Sequence, residues 1–195
     1  DSFTAERRQS MARDIPNFNL TTAMASLYRT GAYYVSVPAG EDENADDTYW
    51  TESVDPDGNV RDRFAERAQY VNNIRPEIEF IAGQKPGRVL DIGCGPGWLL
   101  SAMDEGWDKH GVELSAAAAE HAAQYGDVFV GPFEESNHDP GGFDLVVMYH
   151  VIEHLPDPVD ALRRAHELLR DGGRLVLGTP DFDSGCARRF GNQYR

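Results

Sequence analysis

Apolar runs and amphipathic segments alternate along the chain from residue 88 onward. Short apolar runs bounded by turn residues predict five strands, near residues 88–93, 109–114, 127–131, 143–149 and 173–178. Apolar positions at helical spacing predict the intervening helices, near residues 97–105, 116–125 and 157–170. The last helix has Leu162, Ala165, Leu168 and Leu169 on its apolar face, and Gly172 and Gly173 are expected to end it. This alternation is typical of an α/β fold in which helices cover both faces of a doubly wound, mostly parallel sheet.

The first 82 residues lack that alternation and predict a helical N-terminal extension. Between residues 61 and 80, apolar side chains at helical spacing share one face, namely Phe64, Ala68, Val71, Ile74 and Ile78. Pro76 has no backbone N–H and should break or kink this helix. We expect residues 1–82 to form an extension or lid, and residues 83–195 to form the strand–helix domain.

Charge and hydropathy limit the classes of partner. The chain of 195 residues carries a net charge of −15, which opposes non-specific binding to DNA or RNA. Residues 41–47 form an acidic run that we expect in a solvated loop. The sequence has no apolar run of membrane-spanning length and no recognisable secretory segment, so we expect a cytoplasmic protein and leave a homodimer open.

The most informative segment follows the first predicted strand. An apolar run ends at Asp91, and glycine then recurs at Gly93, Gly95 and Gly97. Positions without a Cβ atom allow a sharp turn and a close approach of a ligand. The spacing differs from the G-x-G-x-x-G fingerprint of diphosphate-binding loops, and an acid at the strand end favours a cationic ligand. We expect Cys94 to pack beneath this loop.

A second acid ends the second predicted strand. Glu113 lies about twenty residues beyond the first glycine, where an acid in nucleotide-binding folds accepts hydrogen bonds from ribose hydroxyls. The alternative is that Glu113 is merely solvated at a strand end. Ser115 is expected to cap the helix that follows.

A third segment, residues 143–158, joins the fourth predicted strand to His150, Glu153 and His154, and then to Asp157 and Pro158 as the start of a helix. With the glycine loop and Glu113, it resembles the class I S-adenosylmethionine-dependent methyltransferases, in particular the ubiquinone-biosynthesis type and related small-molecule methyltransferases. The resemblance covers residues 87–180 and implies a Rossmann-like sheet, with S-adenosylmethionine as the cofactor of residues 83–195.

The resemblance implies a set of cofactor contacts. The methionine portion is assigned to the first strand end and its loop, namely Asp91, Gly93, Cys94, Gly95 and Gly97. Glu113 is assigned to the ribose, with Leu114 beside it and Tyr149 bordering the methionine portion. Phe133 is expected on the adenine face, and Glu134 is expected to accept from the adenine amino group, although the usual aspartate is absent. Aromatic residues form either a lid or part of the N-terminal core, namely Tyr33, Tyr34, Tyr49 and Trp50.

Three residues are candidates for catalysis. His150, Glu153 and His154 are expected at the mouth of the cofactor cleft, where an imidazole base would assist O-methylation. Alternatively, in-line positioning alone is enough, and Glu153 and His154 brace the loop. The family also has a Glu-x-x-Glu-His metal site, but a histidine replaces its first glutamate here, so no metal is assigned.

These observations predict an S-adenosylmethionine-dependent methyltransferase that acts on an oxygen of a small molecule. A non-catalytic cofactor-binding scaffold is the alternative from another class. An NAD-dependent oxidoreductase is disfavoured by the glycine spacing. The sequence stops at Arg195, soon after the fifth strand, whereas the family continues with a helix and two further strands. We expect either that those strands are missing or that the fold closes differently.

Overall fold

A computed structural model describes residues 47–51, 60 and 62–179. The helices of this part are α1 (Asp47–Thr51), α2 (Arg67–Asn73), α3 (Arg75–Ala82), α4 (Trp98–Ala102), α5 (Ala116–Ala122) and α6 (Pro158–Leu168). The strands are β1 (Arg88–Ile92), β2 (Asp108–Glu113), β3 (Asp127–Val130), β4 (Phe143–Tyr149) and β5 (Leu169–Gly178). Short 3₁₀ segments occupy Arg63–Glu66, Phe133–Glu135 and Ile152–His154.

The five strands form one parallel sheet in the order β3-β2-β1-β4-β5. β1 is central, and its Asp91 lies in register with Gly111 of β2 and Val147 of β4. The chain therefore winds outward in both directions from β1, and the expected doubly wound Rossmann-like sheet with β4 beside β1 is confirmed.

Apolar side chains cover both faces of the sheet. One face carries Val89, Leu145 and Val147, which pack against the helices around Ile74, Ile81 and Leu100. The other face carries Leu90, Ile92, Val146 and Met148, which pack against α6 through Ala161, Ala165 and Leu168. Because alternate strand residues point to opposite faces, this division explains the almost continuous apolar runs of β1 and β4. No helix of the described residues is long and apolar enough to cross a membrane.

The N-terminal helical segment is divided as the proline position predicts. α2 ends at Asn73, Ile74 has φ −98° and ψ 22°, and α3 begins at Arg75 with Pro76 in its first turn. In the first turn a missing N–H costs no intrahelical hydrogen bond, so the break lies just before the proline rather than at it. Ile74 is buried at the junction and anchors both helices to the core.

Two expected helix caps are confirmed. The Ser115 hydroxyl accepts from the amide of Ala118 at the start of α5. The Asp157 carboxylate accepts from the amides of Val159 and Asp160 at the start of α6, with Pro158 in the first turn.

The end of α6 differs from the sequence-based expectation. We expected Gly172 and Gly173 to end the helix, but α6 ends at Leu168 and β5 begins directly at Leu169. The pairing of β4 with β5 shifts between Phe143 and Leu145, and the extra residues of β5 include Gly172 at φ +76°. Gly172 therefore allows the irregularity in β5, because glycine adopts this backbone conformation without strain. Leu169, expected on the apolar face of the helix, begins the strand instead.

Candidate active site

The candidate site lies where the strand order reverses. β1 and β4 are neighbours whose following connections run to opposite sides of the sheet, so a crevice forms at their carboxyl ends. The glycine loop follows β1, and His150 follows β4. The parallel topology thus brings together two segments that are more than fifty residues apart in the sequence.

The glycine loop has a backbone that side chains would disturb. Gly93, Gly95 and Gly97 all have positive φ, at +67°, +52° and +77°. Gly97 is the N-cap of α4, and a Cβ atom there would lie 2.9 Å from the Cα of Ala122. The loop can therefore adopt this path and pack on α5 only with glycine at position 97.

Glu113 holds the glycine loop from the neighbouring strand. Its Oε2 accepts from the amide of Gly95 at 2.7 Å, and its Oε1 accepts from the amide of Ser115 at 3.0 Å. The carboxylate is 6% exposed. Glu113 is therefore not a solvated strand-end acid. It joins the loop after β1 to the turn after β2.

Asp91 is a second buried carboxylate in the same place, 4% exposed. Burial, and then the charge of Glu113, raises the pKa of Asp91 to about 8. None of the described residues donates a hydrogen bond or supplies a cation to its carboxylate. A positively charged group in the crevice would offset this desolvation and bring the pKa down. The paired acids therefore match a cationic ligand.

Cys94 lies under the loop, as expected. It is buried, and a Cβ atom at Gly111 would come within 2.7 Å of its Sγ. Burial raises the pKa of the Cys94 thiol well above its ordinary value, and the charges of Asp91 and Glu113 add to this. The thiol is therefore a packing group rather than a nucleophile.

Helix α1 covers the loop from above. The Trp50 ring lies against Gly95, where a Cβ atom would be 3.1 Å from its Cη2, and it packs on Trp98 and Phe64. The Tyr49 hydroxyl accepts from Arg63 at 3.0 Å. Of the four aromatic residues considered for a lid, Trp50 contacts the loop, Tyr49 supports it, and Tyr33 and Tyr34 lie outside the described residues.

The side expected to hold adenine has exposed apolar groups. Leu114 is 42% exposed and Val130 is 52% exposed, at the carboxyl ends of β2 and β3. Phe133 instead lies in the core, 4% exposed, with the Arg164 guanidinium over its ring, and Glu134 is exposed. The roles of Phe133 and Glu134 at adenine stay predictions. Val130 was missed, although its position next to a glycine at a strand end is a usable signal.

His150 and Glu153 face one another at the other side of the crevice. The Nδ1 of His150 lies 3.4 Å from Oε1 of Glu153, and Oε2 of Glu153 accepts from the Thr179 hydroxyl at 3.1 Å. The 3.4 Å contact is an ion-pair distance without hydrogen-bond geometry, and no described residue donates a hydrogen bond to the buried Oε1. His150 has φ +56°, unusual for a residue other than glycine, and such backbone strain is concentrated at functional sites.

His154 and Tyr149 are placed differently. His154 lies exposed on the 3₁₀ segment, and no described residue makes a side-chain hydrogen bond or ion pair with it. Tyr149 is half-buried between Tyr70 and His150, with ring centroids 6.4 Å and 4.4 Å away. Within the described part of the chain, no three His, Cys, Asp or Glu side chains could hold a metal ion together.

The sequence matches the methyltransferase domain family over residues 63–195. The chain belongs to this family. The resemblance to class I S-adenosylmethionine-dependent methyltransferases is therefore confirmed, and the cofactor of that class is S-adenosylmethionine.

Individual relatives agree with the family. The methyltransferase domain is 34% identical over 113 residues to a ubiquinone biosynthesis O-methyltransferase of Pseudomonas aeruginosa, covering 52% of this chain and 48% of that protein. A SAM-dependent methyltransferase structure from Thermotoga maritima has 27% identity and a TM-score of 0.51, covering 66% and 64%. A structure from Methanococcus maripaludis shares the fold at 18% identity and a TM-score of 0.57, covering 73% and 68%. The chain spans about half the length of the ubiquinone-biosynthesis relatives.

The described residues fit S-adenosylmethionine. Gly93 is exposed at the start of the loop, and no described residue supplies a cation to the buried acid Asp91. Glu113 is a carboxylate, which accepts hydrogen bonds from hydroxyls. A sulfonium and an ammonium are the positive groups of this cofactor, and a ribose supplies the hydroxyls. The buried acids therefore match the positive groups and the ribose of the cofactor.

Proposed function

We propose that this methyltransferase domain binds S-adenosylmethionine between the glycine loop and β4 and transfers its methyl group to an oxygen of a small molecule. The observation that carries the proposal is the pair of buried acids, Asp91 and Glu113, at the ends of adjacent strands beneath the glycine loop. We also infer that residues 83–195 form the cofactor-binding domain and residues 1–82 an extension that borders the acceptor.

Each acid has a separate task in this proposal. Asp91 attracts the positive end of the cofactor, because its own burial is uncompensated in the free protein. Glu113 keeps the loop in register through Gly95 and accepts from the ribose hydroxyls. The exposed side chains of Leu114 and Val130 offer apolar surface to the adenine ring.

When bound, S-adenosylmethionine supplies a methyl group bonded to a sulfonium sulfur, and this sulfur is a good leaving group. His150 then acts on the acceptor by taking the hydroxyl proton. Its Nδ1 faces Glu153, which leaves Nε2 for the acceptor. With its proton on Nδ1, the neutral imidazole takes the hydroxyl proton on Nε2, and the cation that forms lies beside the Glu153 carboxylate.

The choice of oxygen rests on two arguments. A histidine beside a carboxylate suits a hydroxyl acceptor, whose proton must leave as the methyl group arrives. The relative from Pseudomonas aeruginosa is an O-methyltransferase, at 34% identity over about half of this chain. The acidic surface, with a net charge of −15, favours a small molecule over a nucleic acid.

Two experiments test the proposal in sequence. Calorimetric titration should show binding of S-adenosylhomocysteine and none of NAD; the reverse result would overturn the cofactor assignment. A panel of phenols, aliphatic alcohols and amines is then incubated with S-adenosylmethionine that carries a labelled methyl group. Label on a hydroxyl compound supports O-methylation, label only on amines overturns it, and binding without any transfer supports a non-catalytic cofactor-binding protein.

A further inference from the structure

A hydrogen-bond chain links α1 to the cofactor-binding acid. The Ser115 hydroxyl donates to Oδ1 of Asp47 at 2.6 Å, and the Ser115 amide donates to Oε1 of Glu113 at 3.0 Å. Glu113 in turn holds the amide of Gly95 at 2.7 Å through its other oxygen. Three segments distant in sequence, α1, the turn after β2 and the glycine loop, are thus joined through one serine.

Asp47 accepts hydrogen bonds from two donors at the start of α5. Its Oδ1 accepts from the Ser115 hydroxyl and, at 3.0 Å, from the amide of Ala117 in the first turn of α5. The Ser115 hydrogen bond, and then that of Ala117, lowers the pKa of Asp47, so the carboxylate is the preferred form in the contact. The sequence predicted a solvated loop for the acidic run; Asp47 is exposed, as expected, but it begins α1 and accepts two hydrogen bonds there.

The same helix covers the loop with Trp50. Its ring lies against Gly95, and no described residue accepts a hydrogen bond from its buried Nε1. A buried N–H without an acceptor is costly, and an acceptor on a ligand beside the ring would remove that cost. The Asp47 end of α1 thus contacts Ser115, and the Trp50 end contacts the glycine loop itself.

We propose that Asp47 and Ser115 form a latch that couples the closure of α1 over the glycine loop to the position of Glu113, so that the closed helix retains the cofactor. The latch rests on the proposed function, because it assigns Glu113 to the ribose. Ser115 is a positioning residue: its amide orients the Glu113 carboxylate while its hydroxyl holds α1. Opening of α1 removes the Asp47 contact, frees the Ser115 hydroxyl and loosens the acid that holds both loop and ligand. Cofactor release thus requires the latch to open.

The test compares two aspartates with the same type of partners. Asp47 accepts from one side chain and one backbone amide, and Asp144 does the same with Arg170 and the amide of Arg88 at the opposite, amino end of β4. Asp47→Ala removes the latch, and Asp144→Ala is the control for general loss of stability. Asp47→Asn retains an oxygen acceptor and should fall between the unaltered protein and Asp47→Ala.

The first measurement is the dissociation rate of S-adenosylhomocysteine, followed by tryptophan fluorescence after displacement. Asp47→Ala should dissociate about three- to tenfold faster, the effect of losing about one net hydrogen bond, whereas Asp144→Ala should stay within about twofold of the unaltered protein. An unchanged rate in Asp47→Ala, or an equal acceleration in Asp144→Ala, overturns the latch.

The second measurement is amide hydrogen exchange of the free protein, which separates the latch from the cofactor assignment. Asp47→Ala should expose the amides of Gly95 and Ser115 to faster exchange than Asp144→Ala does. Equal exchange in the two variants overturns the latch whether or not a ligand binds. If the unaltered protein fails to bind S-adenosylhomocysteine, the proposed function falls, and the exchange result alone decides the latch.

Discussion

The Glu113 carboxylate and the Gly95 amide are 2.7 Å apart, although they follow different strands. The acid that ends β2 therefore fixes the loop that follows β1. A residue assigned only to ligand binding would not be expected to stabilise the free protein. Glu113 stabilises the loop of the free protein, because each of its oxygens accepts from a backbone amide, and ligand binding is the second role proposed for it.

Replacement of Glu113 should therefore weaken ligand binding and loosen the loop together. Glutamine has one acceptor oxygen, so Glu113→Gln leaves one of the two amides without its partner. We expect S-adenosylhomocysteine affinity to fall by about 1–3 kcal/mol in calorimetry, the scale for an unpaired buried polar group. The control is Glu120→Gln on the exposed face of α5. Affinity equal in the two variants would contradict the ribose assignment.

Two glycines with nearly the same φ provide a test of the loop geometry. Gly97 and Gly172 have φ of +77° and +76°, but a Cβ atom at Gly172 meets nothing within 4 Å, whereas one at Gly97 meets Ala122 at 2.9 Å. Gly172→Ala should lower the free energy of unfolding by about 1–2 kcal/mol, the cost of the left-handed conformation alone. Gly97→Ala should cost more, since α5 must move. Chemical denaturation measures both, and an equal loss would show that the α5 contact is unimportant.

Local sequence patterns predicted the strands well. β1 and β4 are apolar on both faces, so their runs are unbroken and bounded by turn residues, and the bounds of Phe143–Tyr149 match the expectation. The end of α6 was predicted wrongly because Gly172 and Gly173 indicate either a helix end or a strand irregularity. Only the pairing of β5 with β4 distinguishes these, and that pairing is a tertiary contact.

The site was predictable only as far as each residue carried its own signal. Asp91, Glu113 and the glycines stand at strand ends, which periodicity reveals. Asp47 was not recognisable, because its partner Ser115 is 68 residues away and its neighbours in sequence are acidic and polar. The pairing of His150 with Glu153 is visible as i,i+3 spacing, but its geometry depends on the positive φ of His150.

Binding of the cofactor should release a proton from Asp91. Its pKa of about 8 in the folded protein means that the carboxyl is mostly protonated near pH 7, and a bound cation would lower that pKa. Titration of S-adenosylhomocysteine at pH 7 in buffers of different ionisation enthalpy should show release that approaches one proton. Asp91→Asn should abolish it. Equal release by that variant would assign the proton to another group.

The same carboxyl makes the stability of the free protein depend on pH. Its folded-state pKa is raised from 3.8 to about 8, so its contribution to stability is fully present below about pH 4 and is lost as pH rises to about 8. The free energy of unfolding of Asp91→Asn should therefore decline less between these pH values than that of the unaltered protein. Parallel pH profiles of the two proteins would mean that Asp91 is ionised at neutral pH in the folded state.

His150 should determine the rate of transfer without determining cofactor affinity. If it is the base, His150→Ala lowers turnover of a hydroxyl acceptor by about 10²- to 10⁴-fold and leaves S-adenosylhomocysteine binding nearly unchanged. The acid limb of the pH–rate profile, which a histidine base produces, should disappear in the variant. Glu153→Gln should lower the rate less, because the imidazole keeps its place but loses the carboxylate that favours its protonated form.

The control for His150→Ala is His138→Ala, since His138 packs on Phe143 at the amino end of β4, away from the crevice. Rates are compared per folded molecule, because loss of either histidine alters packing. If His150 only braces the loop, its variant loses stability and keeps its rate. If His150 and Glu153 hold a metal ion, a chelator slows the unaltered protein, and His150→Ala and Glu153→Gln lose activity to the same extent. A rate that falls in His150→Ala but not in His138→Ala, is insensitive to the chelator and is restored in part by a more acidic acceptor identifies the base, because such an acceptor gives up its proton without help.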